Sequence, residues 1–162
     1  MAKPRQILGL AFWLLVSFAA AGVGAVASLE ARTFYAQQLK PPWAPPAALF
    51  GPVWSVLYAA MGVAAWLVWR AADTRAARIP LTVFLVQLAL NALWSWLFFV
   101  WHLGGMAFAD ILMLWALIAA ALVLFWRLHQ VAGALLIPYL LWVGFACALN
   151  YSVWQLNPQT LG

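Results

Sequence analysis

Five long apolar stretches alternate with short polar segments along this chain of 162 residues. A helix rises about 1.5 Å per residue, so about 20 residues cross a hydrocarbon core about 30 Å thick. Each stretch approaches that length, which predicts transmembrane helices over residues 7–29, 46–69, 79–101, 105–126 and 132–154. We therefore expect an all-α integral membrane protein, a five-transmembrane-helix bundle that forms one domain over residues 1–162.

The connection over residues 30–45 is much longer than the others and contains most of the segment Lys40-Pro41-Pro42-Trp43-Ala44-Pro45-Pro46. Each proline fixes φ and removes a backbone donor, so this segment is expected to be stiff and non-helical. The last proline suits the first turn of the second helix. Long loops in compact bundles are more often functional than idle, so residues 30–45 are predicted to form a lid over a site.

The composition agrees with a lipid environment, because 69% of the residues are hydrophobic and only 7% are charged. Twelve tryptophans are present, and four of them close apolar stretches, where an aromatic belt is expected. These four are Trp69, Trp101, Trp126 and Trp154. Trp54, Trp94 and Trp142 lie further inside the predicted helices, so a belt does not account for them.

The basic residues, which give a net charge of +5, lie at helix ends and form no patch of the kind that binds nucleic acid. One side of the predicted bundle has six of them: Lys3, Arg5, Arg70, Arg75, Arg78 and Arg127. The other side has only Arg32 and Lys40. The positive-inside rule therefore predicts a cytoplasmic N-terminus, with the C-terminus and the lid outside.

The first apolar stretch also has a signal-peptide interpretation. Ala25-Val26-Ala27 before Ser28 resembles a small-residue cleavage site, and basic residues precede the stretch. The apolar run exceeds the 7–15 residues usual in such signals, and the sequence includes Met1. We expect a retained helix.

Polar and aromatic side chains recur at helical spacing and fall between the bilayer centre and the lid. The three stripes are Trp54 and Tyr58, then Gln87, Asn91 and Trp94, and finally Tyr139, Trp142 and Ala146. Amides facing lipid would cost free energy, so the second stripe should face the bundle interior. Two interpretations remain open here, hydrogen bonds that join helices and contacts to a ligand.

Asp110 is the one acid within an apolar stretch. Intramembrane acids often serve function, but this one lies only one to two turns below the surface. A structural role is expected, in which it caps, snorkels or pairs with a cation such as Arg32 or Lys40.

No metal, hydrolytic or nucleotide chemistry is supported by the pattern. His102 and His129 are predicted at opposite membrane faces, and Cys147 is the only cysteine, so no shared metal site or disulfide is expected. No phosphate-binding Gly-Lys-Ser/Thr loop occurs. We expect no obligatory cofactor.

Motifs along nearly the whole chain resemble the TspO/MBR family, the tryptophan-rich sensory and translocator proteins. The first half contributes Phe34-Tyr35, the proline segment, Gly51-Pro52-Val53-Trp54 and Leu57-Tyr58. The second half contributes Gln87-Leu88-Ala89-Leu90-Asn91, Trp94, Asp110, Pro138-Tyr139-Leu140-Leu141-Trp142, Ala146 and Leu149-Asn150-Tyr151-Ser152-Val153-Trp154.

The resemblance implies a bacterial-type member with five membrane helices, usually a homodimer, and a pocket roofed by the first loop. Its ligands would be porphyrins such as protoporphyrin IX, haem and, in eukaryotic members, cholesterol. The implied ligand-binding residues are Trp43, Trp54, Tyr58, Asn91, Trp94, Trp142, Ala146 and Leu149. Arg32 and Lys40 are candidate lid cations for propionate groups.

This chain departs from the family pattern at the end of the fifth helix. A sterol motif there needs a basic residue after its tyrosine, but Tyr151 is followed by Gln155 and by no Lys or Arg. High-affinity sterol recognition is therefore not expected. The Trp-Tyr pair common in the family is Phe34-Tyr35 here, which retains an aromatic.

The leading hypothesis is a membrane receptor or sensor for a flat, mostly apolar tetrapyrrole. Three alternatives stay open at this stage: a transporter of tetrapyrroles or sterols, an enzyme that degrades porphyrin photochemically, and a structural scaffold with an incidental cavity.

Overall fold

The computed structural model describes residues 3–162, and no strand occurs among them. Five helical segments are long and apolar enough to cross a membrane: Pro4–Ala27, Ala47–Ala71, Arg75–Val100, Gly104–Leu128 and Gln130–Leu156. The predicted all-α bundle of five membrane helices is confirmed. Met1 and Ala2, which the predicted domain includes, lie outside the described residues.

In chain order the helices are α1 (Lys3–Ala27), α2 (Ala31–Gln37), α3 (Phe50–Ala71), α4 (Thr74–Ser95), α5 (Gly104–Leu128), α6 (Gln130–Leu135), α7 (Ile137–Leu156) and α8 (Pro158–Leu161). A 3-10 turn leads into α3, and a π-helical turn (Trp96–Val100) extends α4. The spans form a ring, because α1 packs against α3 and α4, α5 packs against α4 and α7, and α3 packs against α6.

The predicted lid is not a loop throughout, since α2 occupies nearly all of its first half. The proline segment that follows is non-helical, as predicted, and makes a turn in which the Ala44 amide donates to the Pro41 carbonyl at 3.0 Å. Pro46 directly precedes the 3-10 turn, so the second span begins close to its predicted start.

The third and fifth spans differ from their predictions. The third span begins at Thr74 rather than residue 79, because the Asp73 carboxylate caps the helix by accepting from the Ala76 amide at 2.7 Å. Pro80 therefore lies inside α4. The fifth span is divided at Leu136, and Pro138 follows in the first turn of α7, where its missing N–H is tolerated.

The half of the ring away from α2 is closely packed. Met61, Phe84, Ile118 and Phe125 are fully buried there. Gly62 lets α3 approach α1 closely, because a Cβ built on it would lie 3.0 Å from the Leu14 Cα. The half next to α2 is filled less completely, and the functional site is found in that half.

Candidate functional site

A cavity of about 610 Å³ lies between the spans in the half of the bundle next to α2. Pockets for small molecules usually measure about 300–1,000 Å³. Its walls are mostly aliphatic and aromatic, and Arg32 and Tyr35 of α2 close its outer end. Gly22 of α1 and Gly51 of α3 both line the cavity and are exposed, so it also opens sideways between these two helices.

Seven of the eight sequence-predicted ligand-binding residues line this cavity: Trp54, Tyr58, Asn91, Trp94, Trp142, Ala146 and Leu149. They come from α3, α4 and α7, which helical spacing placed on interior faces. Of the two candidate cations, Arg32 also lines the cavity. The structure thus brings together three stripes that are far apart in the sequence.

Trp43 and Lys40 do not line the cavity. The Trp43 ring is half exposed and makes an edge contact with Phe145, with 5.7 Å between ring centroids. The Lys40 ammonium donates to the carbonyls of Tyr35 and Gln38 at 2.7 and 2.8 Å and so completes the end of α2. The roof over the cavity is α2, and the proline segment lies to its side.

Tyr35 ties α2 to the proline segment. Its hydroxyl donates to the Pro45 carbonyl at 3.0 Å, and its ring packs edge-on against Phe50. Burial raises the pKa of the Tyr35 phenol, so the hydroxyl stays protonated and keeps its role as a donor. The roof is therefore braced internally by a bond across ten residues.

A directional chain of hydrogen bonds forms the inner end of the cavity. The Tyr58 hydroxyl donates to the side-chain Oδ1 of Asn91, and the side-chain Nδ2 of Asn91 donates to the Tyr139 hydroxyl at 2.8 Å. The Tyr139 hydroxyl in turn donates to the side-chain Oε1 of Gln87 at 2.7 Å. Gln87 and Asn91 thus join α3, α4 and α7, as the helix-joining interpretation required, while Asn91 also lines the cavity.

A second polar pair orients Trp94. Its indole Nε1 donates to the side-chain Oδ1 of Asn150 at 2.8 Å, and the side-chain Nδ2 of Asn150 donates to the Gly104 backbone carbonyl at 3.3 Å. Asn150 is buried and lines the cavity, although the sequence analysis did not include it among the site residues. Its position one turn beyond Ala146 on the same helix face was the signal available.

The indole Nε1 of Trp142 is buried and has no hydrogen-bond partner among the described residues. The Trp142 ring lines the cavity and packs against Phe50, with 5.9 Å between centroids. An unpaired buried donor costs free energy unless a partner is supplied. The Trp142 ring thus lines the cavity with an indole donor that has no acceptor among the described residues.

Asp110 lies outside the cavity lining and is buried in α5. Its Oδ2 has no hydrogen-bond partner among the described residues. Of the structural roles expected for Asp110, pairing with Arg32 or Lys40 is not formed there, because the Lys40 ammonium is held by backbone carbonyls and Arg32 lines the cavity. Within the described part of the chain, no group of three or more His, Cys, Asp or Glu could hold a metal ion.

The α1 wall was not predicted as part of the site. Phe18, Gly22 and Ala25 of α1 and Ser28 in the turn after it all line the cavity. Small residues in a membrane helix usually form surfaces for close helix packing. Here nothing lies within 4 Å of a Cβ built on Gly22, so this glycine borders open space instead.

Comparison with known proteins now decides the family. The model of the TspO/MBR family matches residues 11–155. This chain belongs to the TspO/MBR family. It is 41% identical over 130 residues to the translocator protein of Homo sapiens, a match that covers 79% of this chain and 77% of the relative.

Two microbial relatives are covered more fully. The chain is 38% identical to protein CrtK of Rhodobacter capsulatus over 151 residues, which are 91% of this chain and 92% of that protein. It is 36% identical to tryptophan-rich protein TspO of Chlorobaculum tepidum over 159 residues, 95% and 99% respectively. Membership of this family supports a role as a membrane sensor or translocator.

Proposed function

We propose that this protein is a membrane receptor that binds a flat, mostly apolar tetrapyrrole, such as protoporphyrin IX or haem, in the cavity beneath α2. The observation that carries the proposal is the convergence of the Trp54, Trp94 and Trp142 indoles on one cavity of about 610 Å³. Large aromatic rings offer broad apolar faces that stack on a planar ligand. The family resemblance supports the same ligand class.

The polar groups of the cavity suit a ligand with acidic groups at its edge. Arg32 lies at the outer end, and its planar guanidinium can pair with a carboxylate through two hydrogen bonds. Lys40 is less suited, because its ammonium already serves three backbone carbonyls of the lid. We therefore assign the propionate contact to Arg32, and contact to a deeper acceptor to the free Trp142 indole.

Binding is favoured over passage through the bundle. Below the cavity, Met61, Phe84 and Phe125 are fully buried, and the Gln87 side chain is held by its neighbours. No polar route leads inward among the described residues. The cavity lining also includes no Asp, Glu or His, so it supplies no strong general acid or base for an enzyme.

The proposal is tested by titrating the purified protein in nanodiscs with protoporphyrin IX and following tryptophan fluorescence. We expect saturable quenching at low micromolar concentration, and about tenfold weaker binding by Trp142→Ala, since a buried aromatic anchor contributes upwards of about 1.4 kcal/mol. Trp126→Ala is the matched control, because Trp126 lies near the C-terminal end of α5, away from the residues of that helix that line the cavity.

Equal weakening by the two substitutions would mean that quenching reports partitioning into lipid, and would contradict the proposal. Chromatography of the porphyrin after incubation in light and in dark completes the test. Recovery of intact porphyrin is expected, whereas protein-dependent loss in light would favour the photochemical enzyme.

A further inference from the structure

Asn157, at the end of α7, pairs with the backbone of the first loop in both directions. The Leu39 backbone N–H donates to the Asn157 side-chain Oδ1 at 2.9 Å, and the Asn157 side-chain Nδ2 donates to the Leu39 backbone carbonyl at 2.9 Å. The two residues are 118 positions apart in the sequence. This side chain therefore reproduces the paired bonds that one strand makes with another, and it fixes one point of the loop to the bundle.

Leu39 lies where α2 has ended and the proline segment begins. Leu39 is 65% exposed, so burial of apolar surface does not hold this point of the loop. The hydrogen bonds of Tyr35 and Lys40 are internal to the loop, and its contacts with α7 through Tyr35 and Trp43 are apolar. The Asn157 pair adds the hydrogen bonds that join the loop backbone to the end of α7.

The attachment point is itself rigid. The Asn157 side-chain Nδ2 also donates to the Val153 backbone carbonyl at 2.7 Å, which anchors the side chain to the last turn of α7. Beyond it, α8 places Leu161 in a fully buried position, in a cluster with Tyr35 and Leu97. The C-terminal segment thus packs beneath the same lid that its asparagine holds.

A second contact holds α2 against the connection between the π-helical turn and α5. The Phe34 ring stacks on His102 with 4.7 Å between centroids and an angle of 4°. His102 and its neighbours connect the π-helical turn to α5, so this contact holds the middle of α2 toward α4 and α5. Opening the lid while α2 stays in place requires the residues after α2 to detach, and Leu39 among them is held by Asn157.

We propose that Asn157 is a positioning residue that latches the lid closed at the aqueous end of the cavity. The latch is a property of the fold alone, while its effect on ligand retention rests on the proposed function. Loss of the Asn157 side chain frees the amide and carbonyl of Leu39, lowers the free-energy difference between closed and open lid, and speeds exchange of the ligand with water.

Hydrogen–deuterium exchange of the ligand-free protein in nanodiscs tests the latch directly. In Asn157→Ala, peptides covering residues 36–46 should exchange about tenfold faster, while peptides from the centres of α3 and α5 stay unchanged. Asn157→Asp retains the acceptor for Leu39 and should show an intermediate increase, which guards against misfolding of the alanine variant. Gln155→Ala, an exposed change two residues away, is the matched control.

Transfer of protoporphyrin IX from the protein to serum albumin in water tests ligand retention. We expect Asn157→Ala to release it about tenfold faster than the wild type and Gln155→Ala at the wild-type rate.

Unchanged hydrogen–deuterium exchange of residues 36–46 in Asn157→Ala would overturn the latch. Faster exchange with unchanged release would overturn its role in retention and would indicate exit between α1 and α3. Absence of porphyrin binding by the wild type would refute the proposed function, and the exchange result would still decide the latch.

Discussion

Glycines have two opposite uses in this bundle. Gly62 allows contact, because a Cβ there would lie 3.0 Å from the Leu14 Cα and 3.2 Å from the Trp13 carbonyl oxygen. Gly22 borders space, since nothing lies within 4 Å of its Cβ position. Close approach of backbones is what stabilises helix pairs in lipid, whereas a missing side chain beside a cavity enlarges it. The two positions therefore respond differently to alanine.

Gly62→Ala is expected to destabilise the bundle. The added methyl group meets the backbone of α1, which must move by a few tenths of an ångström, and overpacking of this kind costs about 1–3 kcal/mol. Thermal unfolding in detergent measures the change, with Gly22→Ala as the control that should unfold near the wild-type temperature. The prediction fails if both variants unfold at the same temperature.

Helical spacing located the residues on regular helices and failed in the loop. Trp54, Tyr58 and Asn91 were predictable because side-chain direction on a helix follows from residue number. Trp43 and Lys40 lie in or beside irregular backbone, where the sequence does not fix the direction of a side chain. Asn157 was missed for a related reason, because its partner is backbone and leaves no pattern in the sequence.

At the scale of elements, the lid consists of a short helix and a non-helical proline segment. Helix α2 covers the cavity, and the proline segment carries the chain back to α3. The length of residues 30–45 indicated a functional loop but not the helix within it, because seven residues are too few for a clear period. The early start of α4 was missed because the span was placed by its apolar residues, although Asp73 offered a capping residue.

Replacing Pro41, Pro42 and Pro45 with Ala should leave the bundle folded and loosen the lid. Each proline restricts the open state and so favours closure by about 0.4–1 kcal/mol, while the carbonyls of Pro41 and Pro45 that accept hydrogen bonds are retained. Stopped-flow release of protoporphyrin IX should quicken at least about fivefold. Pro4→Ala, at the far end of α1, is the control, and an unchanged rate in the triple variant would reduce the segment to a linker.

At the scale of the whole molecule, the charges predict an orientation in the membrane. Arg5, Arg70, Arg75 and Arg127 lie near the ends of the spans that face away from α2. A C-terminal reporter is therefore predicted to lie outside the cytoplasm, and one inserted after Asp73 inside it. The reverse pattern would place the cavity mouth in the cytoplasm and would refute the charge argument.

The five spans followed from the sequence because length and hydropathy alone define a membrane helix. The cavity did not, because its volume depends on how helix faces meet. The interior faces of α3, α4 and α7 were predictable from their stripes, but the α1 wall and the sideways opening at Gly22 and Gly51 depend on the distance between two helices.

In the proposed function the ligand occupies the cavity and not the lipid-facing surface. Ala146→Phe and Ala148→Phe distinguish these two locations, because Ala146 lines the cavity while Ala148 is exposed on the same helix. Equilibrium titration with protoporphyrin IX in nanodiscs should show at least about tenfold weaker binding for Ala146→Phe, and wild-type affinity for Ala148→Phe. Equal affinity in all three proteins, with both variants folded, would contradict the account.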